Sequence, residues 1–422
     1  MGTMIQLSLG NMQIDWGKNG GYTDHSALFQ NSDLAEVPSY YAGEETEDHV
    51  NFPDGFKTII EYHLGLSKPL WQVADRLRLL GYTTKYCEAE FKYFEDFYAF
   101  SDEDEKQKAS FEQLKNALET MDTSMLSLDT SGHDMHNKAF KIELYKKMGL
   151  NHYVDNPEML ENIGNEDDFI SCYSLLQLLS RNNSAKNLPV IWDFADHEHA
   201  GWAARKDYVK EPDQSKKFLF VTEGSSDSLI LKHGLSLLKP HIADLFDFVD
   251  MQEGYPFSGT GNLVNFVKGL ISIKVQNNVL ILFDNDAEGV ASYNKCKGMN
   301  VPNNMKILKL PDMQEFERFP TIGTTGEHIA NINGSGAAIE CYLDLKADGL
   351  VRWNNYNHLL KTYQGELIEK DIYKKKFLSQ KVLMESYNYT KLICVINMMI
   401  DHCSKMMEAS LINGVKHPEE KY

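Results

Sequence analysis

The stretch KFLFVTEGSSD, residues Lys217–Asp227, decides the fold together with a second stretch of the same design, VLILFDNDAEG, residues Val279–Gly289. Each stretch is a short apolar run that ends in acidic residues. Because Phe218–Val221 and Val279–Phe283 show no polar alternation, they are typical of strands that are covered on both faces. The sequence therefore predicts two buried strands of a mainly parallel α/β sheet, each followed by a turn and a helix.

Acidic side chains follow both predicted strands. Glu223 comes after the first strand, and Asp284 and Asp286 come directly after the second. Because ligands of open α/β sheets bind at the carboxyl ends of the strands, we expect these carboxylates to meet at one edge of the sheet. Three neighbouring carboxylates repel each other unless a cation neutralises them, and oxygen ligands suit a hard divalent ion. The alternative is an ordinary α/β domain in which acidic residues cap helices.

The turn after the first strand predicts a helix start. Gly224 permits a tight turn, and Ser225 or Ser226 would cap a helix over Ser228–Leu235. Further along, we predict strands over Phe246–Met251 and Met305–Leu310 and helices over Leu263–Ile271 and Ala287–Lys297.

This pattern resembles the TOPRIM domain of topoisomerases, primases and the metal-dependent nucleases of the OLD and RNase M5 type. That family carries a Glu after the first strand, then Gly and a later Asp, and an Asp-x-Asp after a later strand. The matching residues here are Glu223, Gly224, Asp227, Asp284 and Asp286. The resemblance covers roughly residues 216–343 and implies phosphodiester hydrolysis of DNA or RNA with Mg²⁺ or Mn²⁺ as cofactor. It implies Glu223, Asp284 and Asp286 as catalytic metal ligands, Asp227 as a further ligand, and Glu223 as a general base or acid.

Phosphate contacts are expected from glycines and lysines near the predicted site. Gly224 and the turn Gly259-Thr260-Gly261 would let backbone N–H groups approach a phosphate, although such a turn is more often plain strand-to-helix geometry. Lys309 would neutralise phosphate charge during catalysis, and a merely solvated lysine is its alternative. A basic groove would use Lys268 as a nucleic-acid contact, together with Lys295, Lys306 and Lys309.

The N-terminal half predicts a hairpin and then helices. Residues 4–16 alternate apolar and polar residues around Gly10-Asn11, and residues 17–50 have the composition of a long loop. Helices are expected from Ser67–Leu80 onward, with Ser67 as cap, Pro69 in the first turn and Gly81 as the end. The segments Gly17-Lys18-Asn19 and RLRLLGY at 76–82 resemble the HEPN-like N-terminal domain fused to TOPRIM in bacterial defence proteins, which implies a role against phage.

We therefore divide the chain into a hairpin and loop at 1–50, an α-rich HEPN-like domain at 51–210, a TOPRIM-like catalytic domain at 211–345 and a helical segment at 346–422. Arg352 and His358 have the Arg-x5-His spacing of HEPN ribonucleases, and the alternative for Arg352 is a surface or ion-pairing role.

Composition sets limits on partners and location. The 422 residues carry a formal net charge of −19, so a nucleic-acid enzyme needs either a local basic groove or a partner. We expect a homo-oligomer or a partner defence protein to supply that surface. Scattered cysteines, the lack of a secretion signal and the lack of an apolar run of about 20 residues predict a cytoplasmic protein without membrane contact.

Other functions stay open on the sequence alone. An RNA-processing nuclease of the RNase M5 type would use the same acidic residues. A non-catalytic nucleic-acid-binding or sensor protein would keep the fold without using the site. A topoisomerase or primase would need a tyrosine cleavage domain or a zinc ribbon, and neither is recognisable in the sequence.

Overall fold

The computed structural model describes residues 3–45, 56–99, 109–128, 133–156, 170–249, 260–346, 348–358 and 361–416. The chain divides into two compact units, one of residues 1–211 with 407–422 and the other of residues 212–406. Within the described ranges, none of the helices combines the length and the apolar character that a membrane span requires.

The first unit is built on a five-stranded antiparallel sheet with the strand order β2-β1-β5-β4-β3. Its strands are β1 (Met4–Leu9), β2 (Met12–Lys18), β3 (Leu34–Glu45), β4 (Phe56–Pro69) and β5 (Pro189–Asp193). The predicted hairpin at 4–16 is confirmed, with its turn at Gly10-Asn11. Gly10 has φ +58°, and a Cβ there would lie 1.7 Å from the Leu126 carbonyl oxygen, so the turn requires glycine.

Helices cover this sheet and complete the core of the first unit. They are α1 (Leu70–Leu79), α2 (Thr84–Ala99), α3 (Phe111–Thr120), α4 (His133–Lys147), α5 (Asn151–Asp155), α6 (Cys172–Leu179), α7 (Ala195–His199) and α8 (Arg205–Tyr208). Leu7, Leu66, Leu77 and Trp192 belong to one buried cluster shared by strands and helices. Arg76, from the RLRLLGY segment, is fully buried and donates from Nε to the Ala27 carbonyl oxygen at 2.8 Å.

Three predictions for this half are wrong. Residues 17–50 are not a long loop, because β3 occupies much of that range, and Pro38 is tolerated there since β3 is an edge strand. Residues 51–210 are not simply α-rich, because β4 and β5 lie inside the sheet. Ser67 is not a helix cap but a strand residue opposite Ile191, and the N-cap is Pro69.

The second unit contains a four-stranded, wholly parallel sheet with the order β10-β8-β6-β7. Its elements are β6 (Phe218–Thr222), α9 (Ser225–Leu238), β7 (Phe246–Phe248), α10 (Thr260–Ser272), β8 (Asn278–Phe283), the short β9 (Asn285–Asp286) outside that sheet, α11 (Ala287–Lys297) and β10 (Met305–Lys309). The predicted parallel α/β sheet is confirmed, and β6 and β8, the two strands that are followed by acidic residues and a helix, are neighbours in it.

Helices pack on this sheet according to the direction of each crossover. Val221, Ile281 and Phe283 are buried in one cluster with residues of α10 and α11, which therefore share a face. The chain crosses from β6 to β7 in one direction through α9 and returns through α10 to β8. Because such crossovers are right-handed, α9 belongs on the opposite face, where it contacts β6 and β7.

A second small sheet follows, with the order β12-β11-β14-β15. Its strands are β11 (Phe319–Gly323), β12 (Gly326–Ala330), β14 (Val351–Asn357) and β15 (Thr362–Leu367). The short β13 (Gly336–Ala337) lies between β12 and β14 in the chain and pairs with β9 instead. The helices α12 (Lys370–Leu378) and α13 (Thr390–Lys416) come after β15. A 3-10 turn at Ile339–Tyr342 follows β13. The expected helical segment at 346–422 is wrong as far as Leu367, because β14 and β15 occupy that part of the chain.

Candidate functional site

Adjacent strand ends bring Glu223 and Asp284 together. Strands β6 and β8 pair in parallel with Thr222 opposite Leu282, so the residues that follow them leave the sheet at the same edge. The Asp284 backbone N–H donates to Glu223 Oε1 at 3.1 Å. The juxtaposition expected from parallel pairing is therefore present.

Asp227 lies in the first turn of α9 and is 9% exposed. Its carboxylate accepts the Gly224 N–H at 3.0 Å, which fixes the start of the helix. The N-cap is Gly224 and not Ser225 or Ser226, because the carboxylate three residues on reaches back to the cap N–H.

Asp286 is held by two elements. As N-cap of α11 it accepts the Gly289 N–H at 2.7 Å. Its other oxygen accepts a short hydrogen bond from Gln364 of β15, and Gln364 Oε1 accepts the Glu288 N–H at 3.0 Å. Sequence reasoning missed Gln364, because it lies 78 residues from Asp286, on a hairpin for which the sequence predicts a helix.

Glu340 is a further carboxylate that sequence reasoning did not assign to the site. It is 5% exposed in the 3-10 turn, directly after Ile339, whose N–H donates to Asp284 Oδ1 at 3.2 Å. No local pattern marks Glu340. Its position depends on the antiparallel pairing of β13 with β9, which returns the chain to the sheet edge.

Gly289 completes the packing of the site. A Cβ at this position would lie 2.4 Å from the Asp284 carbonyl oxygen and 2.9 Å from Glu223 Oε1. Only glycine therefore lets the first turn of α11 approach these two acids. The available signal was the glycine at the end of DAEG.

Burial raises the pKa of all five carboxylates, and repulsion within the group adds to the rise for Glu223, Asp227 and Asp284. Burial, followed by the charges of Asp286 and Asp227, raises the pKa of Glu223 to about 9. Burial and Glu340 raise the pKa of Asp227 to about 7. Burial and the neighbouring acids raise the pKa of Asp284 well above its ordinary value, and burial also raises the pKa values of Asp286 and Glu340. We call these five residues the acidic cluster.

Positive charge near the acidic cluster comes from α12. Lys370 counteracts the rise in the pKa of Asp227, and Lys370 and Lys374 do so for Glu340. Both lysines are paired with other acids, Lys370 with Glu366 at 2.8 Å and Lys374 with Asp371 at 2.9 Å. Repulsion within the cluster is therefore only partly offset.

Lys309, expected to act on phosphate, is placed beside the site and not in it. Its Nζ donates to Asp312 Oδ1 at 2.8 Å and to Asn285 Oδ1 at 3.0 Å. Asn285 is fully buried between the two aspartates in sequence, and this contact ties β10 to the turn that carries them.

The donor set of the acidic cluster suits a hard divalent ion, because it consists of crowded carboxylate oxygens. Glu223 and Asp284 each use one oxygen for a backbone N–H, and within the described chain their second oxygens have no hydrogen-bond partner. Among the residues that the structure describes, however, no three Asp, Glu, His or Cys side chains form a ready-made metal site. The chemistry of the site fits an ion, and the side chains are not preset around one.

The other predicted contacts lie elsewhere. Gly261 is exposed in the first turn of α10, and Gly259 lies outside the described residues. Lys268 is beside Cys296 of α11, where it acts with Lys295 on the pKa of that thiol. Arg352 and His358 lie along β14 and just beyond it, and a strand rises about 3.3 Å per residue, so the structure does not bring them together as a pair.

The fold and the acidic cluster define a mixed α/β protein with a carboxylate site at the edge of a parallel sheet. The model of the family HEPN/Toprim N-terminal domain 1 matches residues 1–216, and the chain belongs to this family. Membership indicates a nuclease-like protein. Neither the curated proteins nor the solved structures give a match to this chain.

Proposed function

We propose that this protein is a divalent-metal-dependent nuclease that hydrolyses phosphodiester bonds in DNA or RNA, with Mg²⁺ or Mn²⁺ as cofactor. One observation carries the proposal: five buried carboxylates from three stretches of the chain converge at the edge of the parallel sheet, where their charges disfavour ionisation. Folding maintains such crowding at a cost in stability, which is the usual mark of a functional site.

Glu223, Asp284 and Asp286 would hold the metal, with Asp227 and Glu340 beside them. A bound divalent ion supplies charge for the scissile phosphate and lowers the pKa of an attacking water. The chain contributes the placement of the carboxylates: Ile339 N–H orients Asp284, Gly289 N–H and Gln364 orient Asp286, and Asp284 N–H orients Glu223. Glu223 would also act as the general base or acid, since a divalent ion beside it would lower the pKa that burial and neighbouring charges raise to about 9 in its absence.

The resemblance of the sequence to TOPRIM nucleases and to HEPN-like defence proteins supports this proposal and extends it to defence against phage in the cytoplasm. The net charge of −19 favours help from a second copy or a partner protein in docking nucleic acid. The lysines of α12, which act on the pKa values of Asp227 and Glu340, are a source of positive charge that the sequence does not predict.

A cleavage assay tests the proposal. Plasmid, single-stranded DNA, total RNA and tRNA are incubated with the protein in Mg²⁺, in Mn²⁺ and in EDTA. We expect cleavage of at least one substrate in a metal and none in EDTA, and we expect Asp284→Asn to abolish it. Asp247→Asn is the matched control, because Asp247 lies in the same sheet and pairs with Lys217 outside the cluster. Equal cleavage by Asp284→Asn, or none by the wild type in any metal, would overturn the proposal.

The competing function is a nucleic-acid-binding or sensor protein that does not cut. One observation favours it: both Asp286 oxygens already accept hydrogen bonds, from Gly289 N–H and Gln364. The same assay decides, since a sensor would bind nucleic acid without cleaving it in either metal. An RNA-processing nuclease of the RNase M5 type would instead cleave the RNA substrates alone.

A further inference from the structure

The hairpin formed by β14 and β15, which contacts the acidic cluster through Gln364, carries exposed aromatic rings. Tyr356 and Tyr363 are directly opposite each other across the two strands. They are 42% and 53% exposed, and their ring centroids lie 5.1 Å apart at an interplanar angle of 72°. The His358 ring packs against Tyr356 with a centroid distance of 5.1 Å. We call Tyr356, His358 and Tyr363 the aromatic platform.

A bulge explains why these rings share one face. The register of β14 shifts between Trp353 and Tyr356, so residues three apart lie opposite Gly365 and Tyr363, which are two apart on β15. The half-buried Trp353 therefore lies on the same face as the two tyrosines, towards the base of the hairpin.

The aromatic platform is anchored to the acidic cluster through the backbone of β15. Gln364, which directly follows Tyr363, contacts Asp286 and the Glu288 N–H. The next residue, Gly365, donates its N–H to the Ser335 carbonyl oxygen at 2.7 Å. Consecutive Cα atoms are about 3.8 Å apart, so Tyr363 is one residue from the residue that contacts Asp286, with its side chain on the other face of β15.

One positive charge lies beside the rings. Lys361, at the start of the return strand, is exposed, whereas Arg352 lies opposite Glu366 on the other face of the hairpin. The charge of Lys361 can contact a phosphate while the rings offer their faces, a combination that binds single strands with little regard to sequence. A duplex keeps its bases stacked inside and cannot present them to such rings.

We propose that the aromatic platform binds single-stranded nucleic acid by stacking its bases and so leads the strand to the acidic cluster. The delivery of the strand to the acidic cluster rests on the proposed function. The inference narrows the substrate of that function to single strands or unpaired segments of nucleic acid. Stacking of a base on an aromatic ring contributes to affinity without positive charge, which suits a chain with a net charge of −19.

Fluorescence anisotropy with short labelled oligonucleotides tests the proposal, in EDTA and again in Ca²⁺. Single-stranded DNA, single-stranded RNA and duplex DNA are compared, so that the arms also show which sugar is preferred. We expect Tyr356→Ala and Tyr363→Ala each to weaken binding of single strands by about five- to 150-fold. Tyr356→Phe and Tyr363→Phe should bind within about twofold of the wild type, since phenylalanine keeps the stacking face.

Tyr62→Ala is the matched control, because Tyr62 is 66% exposed on β4 of the first unit and has no place in the proposal. The proposal is overturned if the wild type does not bind single strands, if the Ala variants bind as tightly as the wild type, or if Tyr62→Ala weakens binding as much. It is also overturned if the Ala variants only lower the melting temperature, since the rings would then merely stabilise the hairpin.

The two proposals fail separately. Tyrosine-dependent binding without cleavage in Mg²⁺ or Mn²⁺ would contradict the proposed hydrolysis and support the aromatic platform. Metal-dependent cleavage with binding unchanged in the Ala variants would support the hydrolysis and contradict the platform.

Discussion

Buried charged side chains are paired in the first unit of this protein and crowded with like charges in the second. In the first unit the fully buried side chain of Lys68 is paired with Asp33 at 2.8 Å and donates to Gln30 Oε1 at 2.9 Å. In the second unit the acidic cluster gathers carboxylates whose pKa values rise through burial and mutual repulsion. A buried charge that serves the fold has its partner within the chain, whereas the acidic cluster has only part of its charge balanced by lysines.

The largest expected effect on stability comes from breaking the pair in the first unit. Lys68→Met should lower the free energy of unfolding by about 3–5 kcal/mol, because it leaves Asp33 without its partner in a poorly solvated position. Urea unfolding measures the change. Lys92→Met is the control, since its pair with Glu88 is exposed and is worth about 1 kcal/mol or less. Equal effects of the two changes would contradict the distinction drawn here.

The next effect comes from the tight packing around the acidic cluster. Gly289→Ala should lower the free energy of unfolding by about 1–3 kcal/mol, because its Cβ would overlap the Asp284 carbonyl oxygen. Gly269→Ala in α10 is the control: no atom lies within 4 Å of its Cβ position, so the change should stabilise the helix by about 0.5–1 kcal/mol. Thermal melts of both variants check the opposite signs.

The stability of the metal-free protein should fall as pH rises. The pKa of Asp227 is raised to about 7 and that of Glu223 to about 9, so the folded state holds protons that the unfolded state has lost above about pH 4. The unfolding free energy therefore decreases from about pH 4 to 9, by at most about 1.4 kcal/mol per pH unit for each proton. Glu223→Gln should flatten the curve in EDTA, and an unchanged slope would show that Glu223 does not titrate as described.

The smallest expected change in stability concerns Gln364. Gln364→Ala removes the donor to Asp286 and the acceptor of the Glu288 N–H, and should destabilise the protein by about 0.5–1.5 kcal/mol. Because it orients a proposed metal ligand, the same change should reduce cleavage by about 10–100-fold. The control is Gln276→Ala, which removes a hydrogen bond at the surface, and cleavage should not respond to it. Full cleavage by Gln364→Ala would limit Gln364 to a structural role.

Local patterns in the sequence were sufficient for the parallel sheet and its acids. The apolar runs before Glu223 and Asp284 predict β6 and β8. Because the two strands pair in parallel, the acidic residues that follow them lie at the same edge of the sheet. Glu340 and Gln364 could not be found in this way, because β13 and β15 return to the site from far along the chain. The β14–β15 hairpin was read as helix, and its bulge gives Trp353 and Tyr356 a spacing of three that also suits a helix.

Thermal melting of wild type and Asp284→Asn, in EDTA and in Mg²⁺, tests most directly whether the acidic cluster holds a divalent ion. The variant removes a carboxyl that can ionise only against the repulsion of its neighbours, so in EDTA it should melt at the same temperature as the wild type or higher. Mg²⁺ should raise the melting temperature of the wild type and raise that of the variant less, since a ligand stabilises only the state that binds it. An Asp284→Asn protein that melts well below wild type in EDTA and gains as much from Mg²⁺ would contradict the account.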